Sequence, residues 1–144
     1  MTYWRTSYHL VWATKNREAM LTPERMQMLQ QAFRVVARDN GAYTHAVGGM
    51  PDHVHVAVSI PPTITVSEFV GRLKGSSSHF IEKGLSHPEV DGFGLQSQYG
   101  VITFGERSLP DVVAYIEHQA ERHANDDLWV SFEALPERYT KTGS

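Results

Sequence analysis

Cysteine is absent from all 144 residues, so disulfides and thiolate metal sites are excluded, and any bound metal must take His, carboxylate, amide or water ligands. No apolar run approaches the roughly 18 residues of a membrane span. The opening Met1-Thr2-Tyr3-Trp4-Arg5 lacks a basic flank leading into an apolar stretch. The expectation is a cytoplasmic protein, neither exported nor embedded in a membrane. Low-complexity linkers and internal repeats are also missing, and the length and 41% apolar content suit one core, hence a single domain over 1–144 with a short tail at 126–144.

An excess of basic charge is missing too, since the formal net charge is −3. The sum hides an uneven distribution. Residues 1–83 carry nine Lys or Arg against six Asp or Glu, a balance of +3, whereas residues 84–144 carry four against ten, a balance of −6. Arg5, Lys15, Arg17, Arg25, Arg34, Arg38, Arg72, Lys74 and Lys83 could line one basic face suited to phosphate backbones. On charge alone, ordinary solvated surface explains them equally well.

What the chain does have is Met50-Pro51-Asp52-His53-Val54-His55-Val56-Ala57-Val58. Side chains alternate faces along a strand, so His53 and His55 point the same way and form half of a metal site. A pair of strand histidines bonded to backbone or water has the same pattern. Gly48-Gly49-Met50-Pro51-Asp52 reads as the turn that introduces this strand, with a short partner strand over 42–47 before it and Pro61-Pro62 after it.

Tyr8-His9-Leu10-Val11-Trp12-Ala13 reads as a first strand within 3–14, and Tyr99 to Phe104 as a last one. Thr22-Pro23 opens a helix carrying Met26, Leu29, Phe33, Val36 and Ala37, which Asn40-Gly41 ends. A second helix spans about 66–85 behind a Thr65 or Thr63 cap, anchored by Phe69, Leu73, Phe80 and Ile81, and 86–98 reads as a loop. Ser108-Leu109-Pro110-Asp111 caps a third helix running to about Asn125. The order β-α-β-β-α-β-α predicts an α+β fold: a ferredoxin-like or RRM-like split βαβ antiparallel sheet, with helices on its faces and an added C-terminal helix.

In that last helix Leu109, Val112, Val113, Ile116 and Ala120 share one arc at about 100° per residue, the expected buried stripe. Tyr115 and Gln119, at i and i+4, fall about 80–120° from Leu109, on the flank where side chains can reach an adjoining cleft. A rim tyrosine beside a solvated glutamine is the plain structural reading.

The Pro-Asp-His-Val-His block together with Tyr115-Ile116-Glu117-His118-Gln119 resembles the HUH single-tyrosine transposases, the insertion-sequence 200-like group and the REP-associated tyrosine transposases. The likeness runs from Tyr8-His9-Leu10-Val11-Trp12, with Lys15 and Arg17 after it, through Leu73-Lys74-Gly75-Ser76-Ser77-Ser78 to the tyrosine helix. It implies a nuclease and strand-transferase acting on single-stranded DNA at hairpin-bearing element ends. Tyr115 would be the nucleophile, leaving a 5′-phosphotyrosine and a 3′-hydroxyl, and His53, His55 and Gln119 would hold a divalent metal, Mg2+ or Mn2+.

Lys74 and Arg17 are the phosphate-binding candidates, Ser76 to Ser78 are possible neutral donors, and Trp4, Tyr8 or Tyr43 could stack bases. The resemblance further implies either a homodimer in which each tyrosine helix completes the partner's site, which is the expectation here, or a monomer acting in cis, as the REP-associated branch can. The short Gly105-Glu106-Arg107-Ser108 connection is a second reason to expect the homodimer. His9 and His45 read as strand residues without a catalytic part, and His118 as a helix-surface group. The alternative function is a domesticated, non-catalytic hairpin DNA- or RNA-binding protein, which would need none of His53, His55, Tyr115 and Gln119. A His-x-His oxygenase is disfavoured, since the pattern contains three helices rather than a cupin-like series of strands.

Overall fold

The computed structural model describes residues 3–84, 95, 96 and 98–119, with 81–84 described by backbone alone. Four strands, β1 (Ser7–Ala13), β2 (Tyr43–Met50), β3 (His53–Ser59) and β4 (Gly100–Phe104), alternate with helices α1 (Pro23–Asp39), α2 (Val66–Gly84) and α3 (Leu109–Glu117). The sheet order is β2-β3-β1-β4, and every neighbouring pair is antiparallel. This is the split βαβ arrangement predicted from element order, with α3 added.

The helix starts follow local chemistry. Thr22 Oγ1 accepts a hydrogen bond from the Arg25 amide at 3.2 Å with Pro23 in the first turn, and Thr65 Oγ1 accepts from the Glu68 amide at 3.1 Å. Asn40 closes α1, and Gly41 follows at φ 73°. Ser108 does not cap α3 with its side chain; a 3-10 turn over Glu106–Ser108 leads into the helix instead.

Parity divides the sheet into two faces. Leu10 and Trp12 of β1 and Val54, Val56 and Val58 of β3 join the main core with Leu29, Phe33 and Val36 of α1 and Phe69 and Leu73 of α2. Phe80, expected as an α2 anchor, is 44% exposed, and Ser77 is the last buried side chain described on that helix. The opposite face carries the odd-numbered residues of β1 and β3, and α3 covers it through a small cluster of Ala46, Ala57, Val112 and Ile116.

Gly48 and Gly49 are not in a turn: β2 continues through Met50, and Pro51-Asp52 alone connects it to β3. Glycine is needed at 48 for close approach, because a Cβ there would lie 2.5 Å from the Ile116 carbonyl oxygen of α3. The absence of a side chain lets the helix settle onto the strand.

Candidate active site

The strand register places three histidines on the face under α3. Met50 pairs with His53 and Gly48 with His55 across β2 and β3, while Val11 pairs with His55 and His9 with Ala57 across β1 and β3. His53 and His55 therefore stand side by side as predicted, with ring centroids 5.1 Å apart. His9 arrives as a diagonal neighbour from β1, its ring 5.1 Å from that of His55. All three are buried.

Each member of the His-x-His pair is held through Nδ1. His53 Nδ1 donates to Asp52 Oδ1 at 2.8 Å, and His55 Nδ1 shares a 2.9 Å hydrogen bond with His9 Nε2. A histidine whose Nδ1–H is engaged by a carboxylate or another acceptor offers Nε2 to a metal, with ring orientation fixed from behind. Burial would raise the Asp52 carboxyl, but the hydrogen bond from His53 and the charges of His53 and Arg17 outweigh it and hold the group below its ordinary range.

Arg17, predicted as a phosphate ligand, lies 3.5 Å from Asp52 Oδ2. It sits in the 3-10 turn Lys15–Arg17 at φ 55°, beside Asn16 at φ 59°, two consecutive non-glycine residues in the left-handed region. Such geometry persists only where its surroundings enforce it. Here the surroundings are the Thr14 contacts: its hydroxyl donates across the turn to the Glu18 carbonyl at 2.6 Å, with the Asp52 carbonyl at 3.2 Å, and its amide donates to the Asp52 carbonyl at 3.0 Å, tying the Arg17 turn to the start of β3.

Tyr115 and Gln119 differ from expectation in depth. The buried side of α3 runs through Val112, Tyr115 and Ile116, with Tyr115 0% and Gln119 2% exposed, so neither lies on an open rim. Leu109 and Val113, expected in the buried stripe, are only half-buried, so the covered arc is turned toward Tyr115 and Gln119, because α3 lies across β2 and β3 with that flank over the histidine face. The Tyr115 ring stands edge-on to His55, centroids 6.0 Å apart, and 6.5 Å from His9. Gln119 Nε2 donates to the Tyr115 carbonyl at 3.1 Å, leaving Oε1 on the other arm of the amide. Ala120 and the predicted continuation of the helix to Asn125 lie outside the described residues, as does the 126–144 tail.

The short connection before α3 does not keep the tyrosine from its own histidines. The helix folds back over the sheet, and the Tyr115–His55 approach occurs within one chain. A geometric need for a partner's tyrosine is thereby removed.

Lys74 is not brought to this face. It is half-buried on α2, in the helix layer across the sheet. Ser77 is no surface donor either, for its buried hydroxyl donates to the Leu73 carbonyl. Of the candidate stacking residues, Tyr43 is exposed while Tyr8 packs against the main core. His118 Nδ1 donates to the Ala114 carbonyl on the helix surface. His45 shares a 2.7 Å hydrogen bond with Ser59 Oγ, and burial lowers its pKa.

Among the described residues no group of three His, Cys, Asp or Glu side chains forms a metal site. A divalent ion would have two imidazoles and the Gln119 amide oxygen from the protein, with water or substrate oxygens completing its shell. Two imidazoles by themselves suit zinc or another transition ion, and it is the oxygens of the Gln119 amide and of a bound phosphate that would suit Mg2+ or Mn2+. Sequence reading passed over Asp52, taken only as a turn residue, and His9; for His9 the reason lies in the sheet. Its signal was a polar residue on the small-residue face of β1, but only the β1–β3 register ties it to His55.

A sequence-family model described as "Transposase IS200 like" matches residues 2–119. The ISDra2 transposase TnpA of Deinococcus radiodurans is 30% identical over 122 residues, spanning 83% of this chain and 87% of the relative. The transposase for insertion sequence element IS200 of Salmonella typhimurium is 32% identical over 124 residues, 83% of this chain and 80% of the relative. The crystal structure of a candidate transposase from Deinococcus radiodurans R1 superposes with a TM-score of 0.65 at 32% identity, covering 83% of this chain and 95% of that one. A REP-associated tyrosine transposase bound to a REP hairpin shares the fold, with a TM-score of 0.61 at 21% identity over 85% of this chain and 74% of the other.

Proposed function

Because this chain belongs to the IS200-like transposase family, we propose that it cleaves and rejoins single-stranded DNA at hairpin-bearing element ends, with Tyr115 as nucleophile and with a divalent metal, Mg2+ or Mn2+. The observation that carries this reading is the approach of the Tyr115 ring to within 6.0 Å of His55, under a helix that seals the pair from solvent. A bound ion at His53, His55 and Gln119 would supply Lewis-acid polarisation of the scissile phosphate.

In the reaction so proposed, Tyr115 Oη attacks phosphorus and the bond from phosphorus to the 3′ oxygen breaks. The phenolic proton leaves, a proton is delivered to the departing 3′ oxygen, and the 5′ phosphate stays on the tyrosine. The phosphotyrosine keeps the ester, so a different 3′-hydroxyl can attack it and restore a continuous strand without ATP. His53, held by Asp52, and His55, held by His9, keep their rings fixed while the phosphate changes geometry. The hydrogen bond from Gln119 to the Tyr115 carbonyl ties the glutamine to the same turn as the nucleophile.

The buried tyrosine must meet a phosphate, so binding of DNA has to open or shift the edge of α3. Its small apolar cluster makes α3 the element best suited to do so. A homodimer would contain two such sites, each with its tyrosine over its own histidines.

The test uses single-stranded oligonucleotides from the flanks of the gene, with duplex controls, in Mg2+, Mn2+ or EDTA. Cleavage and a covalent protein–DNA species are expected with single strands and metal only. Tyr115→Phe should bind DNA and form no adduct, and His53→Ala should lose metal-dependent cleavage. An adduct with Tyr115→Phe would reassign the nucleophile, and equal cutting in EDTA would remove the metal. Mixing His53→Ala with Tyr115→Phe subunits reads the assembly: rescued cleavage would mean a tyrosine acting across a dimer.

A further inference from the structure

In the reaction as set out above His9 only steadies the His55 ring and has no chemical role, yet it is 1% exposed and its Nε2 lies 2.9 Å from His55 Nδ1. The two residues come from different strands, and antiparallel pairing makes them diagonal neighbours under α3. A buried polar ring placed against another is costly unless the hydrogen bond between them is made. That bond admits only two arrangements for neutral imidazoles. Either His9 donates from Nε2 and His55 carries its proton on Nε2, or His55 donates from Nδ1 and keeps a lone pair on Nε2.

Only the second arrangement leaves His55 able to coordinate a cation through Nε2, and it requires His9 to hold its own proton on Nδ1. We infer that His9 is a positioning residue that accepts from His55 Nδ1 and fixes the coordinating tautomer of that ring, as Asp52 does for His53. The inference rests on the proposed role of His55 as a metal ligand. It also makes the two halves of the site chemically unlike: His53 is backed by an anion at 2.8 Å and His55 by a neutral ring at 2.9 Å.

The experiment uses the full chain labelled with 15N. Long-range 1H–15N spectra of the imidazoles report the tautomer with and without saturating Mg2+, and electron paramagnetic resonance of free Mn2+ reports affinity. In the Mg2+-loaded protein, His55 and His9 should both be Nδ1–H tautomers. His9→Leu removes the acceptor, so His55 should gain the Nε2–H form and Mn2+ should bind about 10- to 100-fold more weakly.

His9→Gln puts an amide oxygen where Nε2 stood and should retain affinity within about threefold, whereas His9→Asn is one bond too short and should behave like His9→Leu. If His9→Leu does not fold, the Gln and Asn variants carry the comparison. Unchanged Mn2+ affinity and an unchanged His55 tautomer in His9→Leu, or equal losses in His9→Gln and His9→Asn, would overturn the role of His9. A wild-type His55 signal indifferent to Mg2+ would instead remove His55 as a ligand, and with it the reading on which His9 depends.

Discussion

Gly48→Ala tests the link between sheet packing and the tyrosine. A Cβ at this position would stand 2.5 Å from the Ile116 carbonyl oxygen and 3.3 Å from Ile116 Cγ2. Carbon–oxygen contacts settle at about 3.3–3.6 Å, so strand and helix must separate by about 1 Å. Both partners are backbone, and neither can rotate away. The main core grips β2 and β3 from the other side, whereas α3 is fastened by Ala46, Ala57, Val112 and Ile116, so the helix is the part that moves.

Tyr115 precedes Ile116 and moves with it. Overpacking of this kind costs about 1–3 kcal/mol of stability. A misplacement of about 1 Å in a reacting group costs about 100-fold in rate. Urea denaturation followed by circular dichroism reads the first number, and the single-turnover rate of covalent adduct formation on single-stranded DNA reads the second. DNA binding should persist. Gly71→Ala is the control, since no atom lies within 4 Å of a Cβ there and the helix should be unaffected or stabilised by about 0.4–1 kcal/mol. A Gly48→Ala protein with wild-type stability and wild-type adduct rate would refute the claim that this glycine sets the height of α3 over the histidines.

Arg17→Ala separates two roles for an exposed cation. Its pair with Asp52 spans 3.5 Å between side chains that are more than a third exposed, which is worth at most about 1 kcal/mol, so melting should hardly change. If Arg17 also meets phosphate, fluorescence anisotropy across a salt series should show weaker binding and a shallower slope, and an unchanged slope would exclude it. His45 supplies a pH test away from the histidine pair. Burial lowers its pKa, so the unfolded chain binds the proton first, and stability should fall as pH drops below about 6.5. His45→Gln, able to keep a bond to Ser59, should flatten that limb of a stability-against-pH curve, and an identical limb would assign it to another group.

Legibility in the sequence tracked the range of the interactions involved. Thr22-Pro23 and Thr65 were readable as helix starts because a cap is made within three residues. Gly48 and Gly49 were misread as a turn because glycine answers to two demands, positive φ and close approach, and only the packed helix shows that close approach applies at 48. His9 was set aside because strand register is a long-range property: nothing within β1 shows that Val11, and not a neighbour, faces His55. Phe80 matched the α2 stripe yet is exposed, since periodicity marks a face without fixing how far along the helix the core extends.

By itself the sequence determined that His53 and His55 share one face, that Tyr115 and Gln119 share one side of a helix, and that the elements alternate as a split βαβ with an added helix. Each of these follows from side-chain periods of 2 and 3.6, which are set by φ and ψ within a few residues. Tertiary structure alone decided that α3 lies over the histidine face of its own chain, that Tyr115 is buried against His55, that Arg17 is tied to Asp52, and that His9 backs the second histidine. Those outcomes depend on strand order, register and the closeness of a helix to a strand, and they are fixed by contacts between residues 35 to 106 positions apart that no local period can specify.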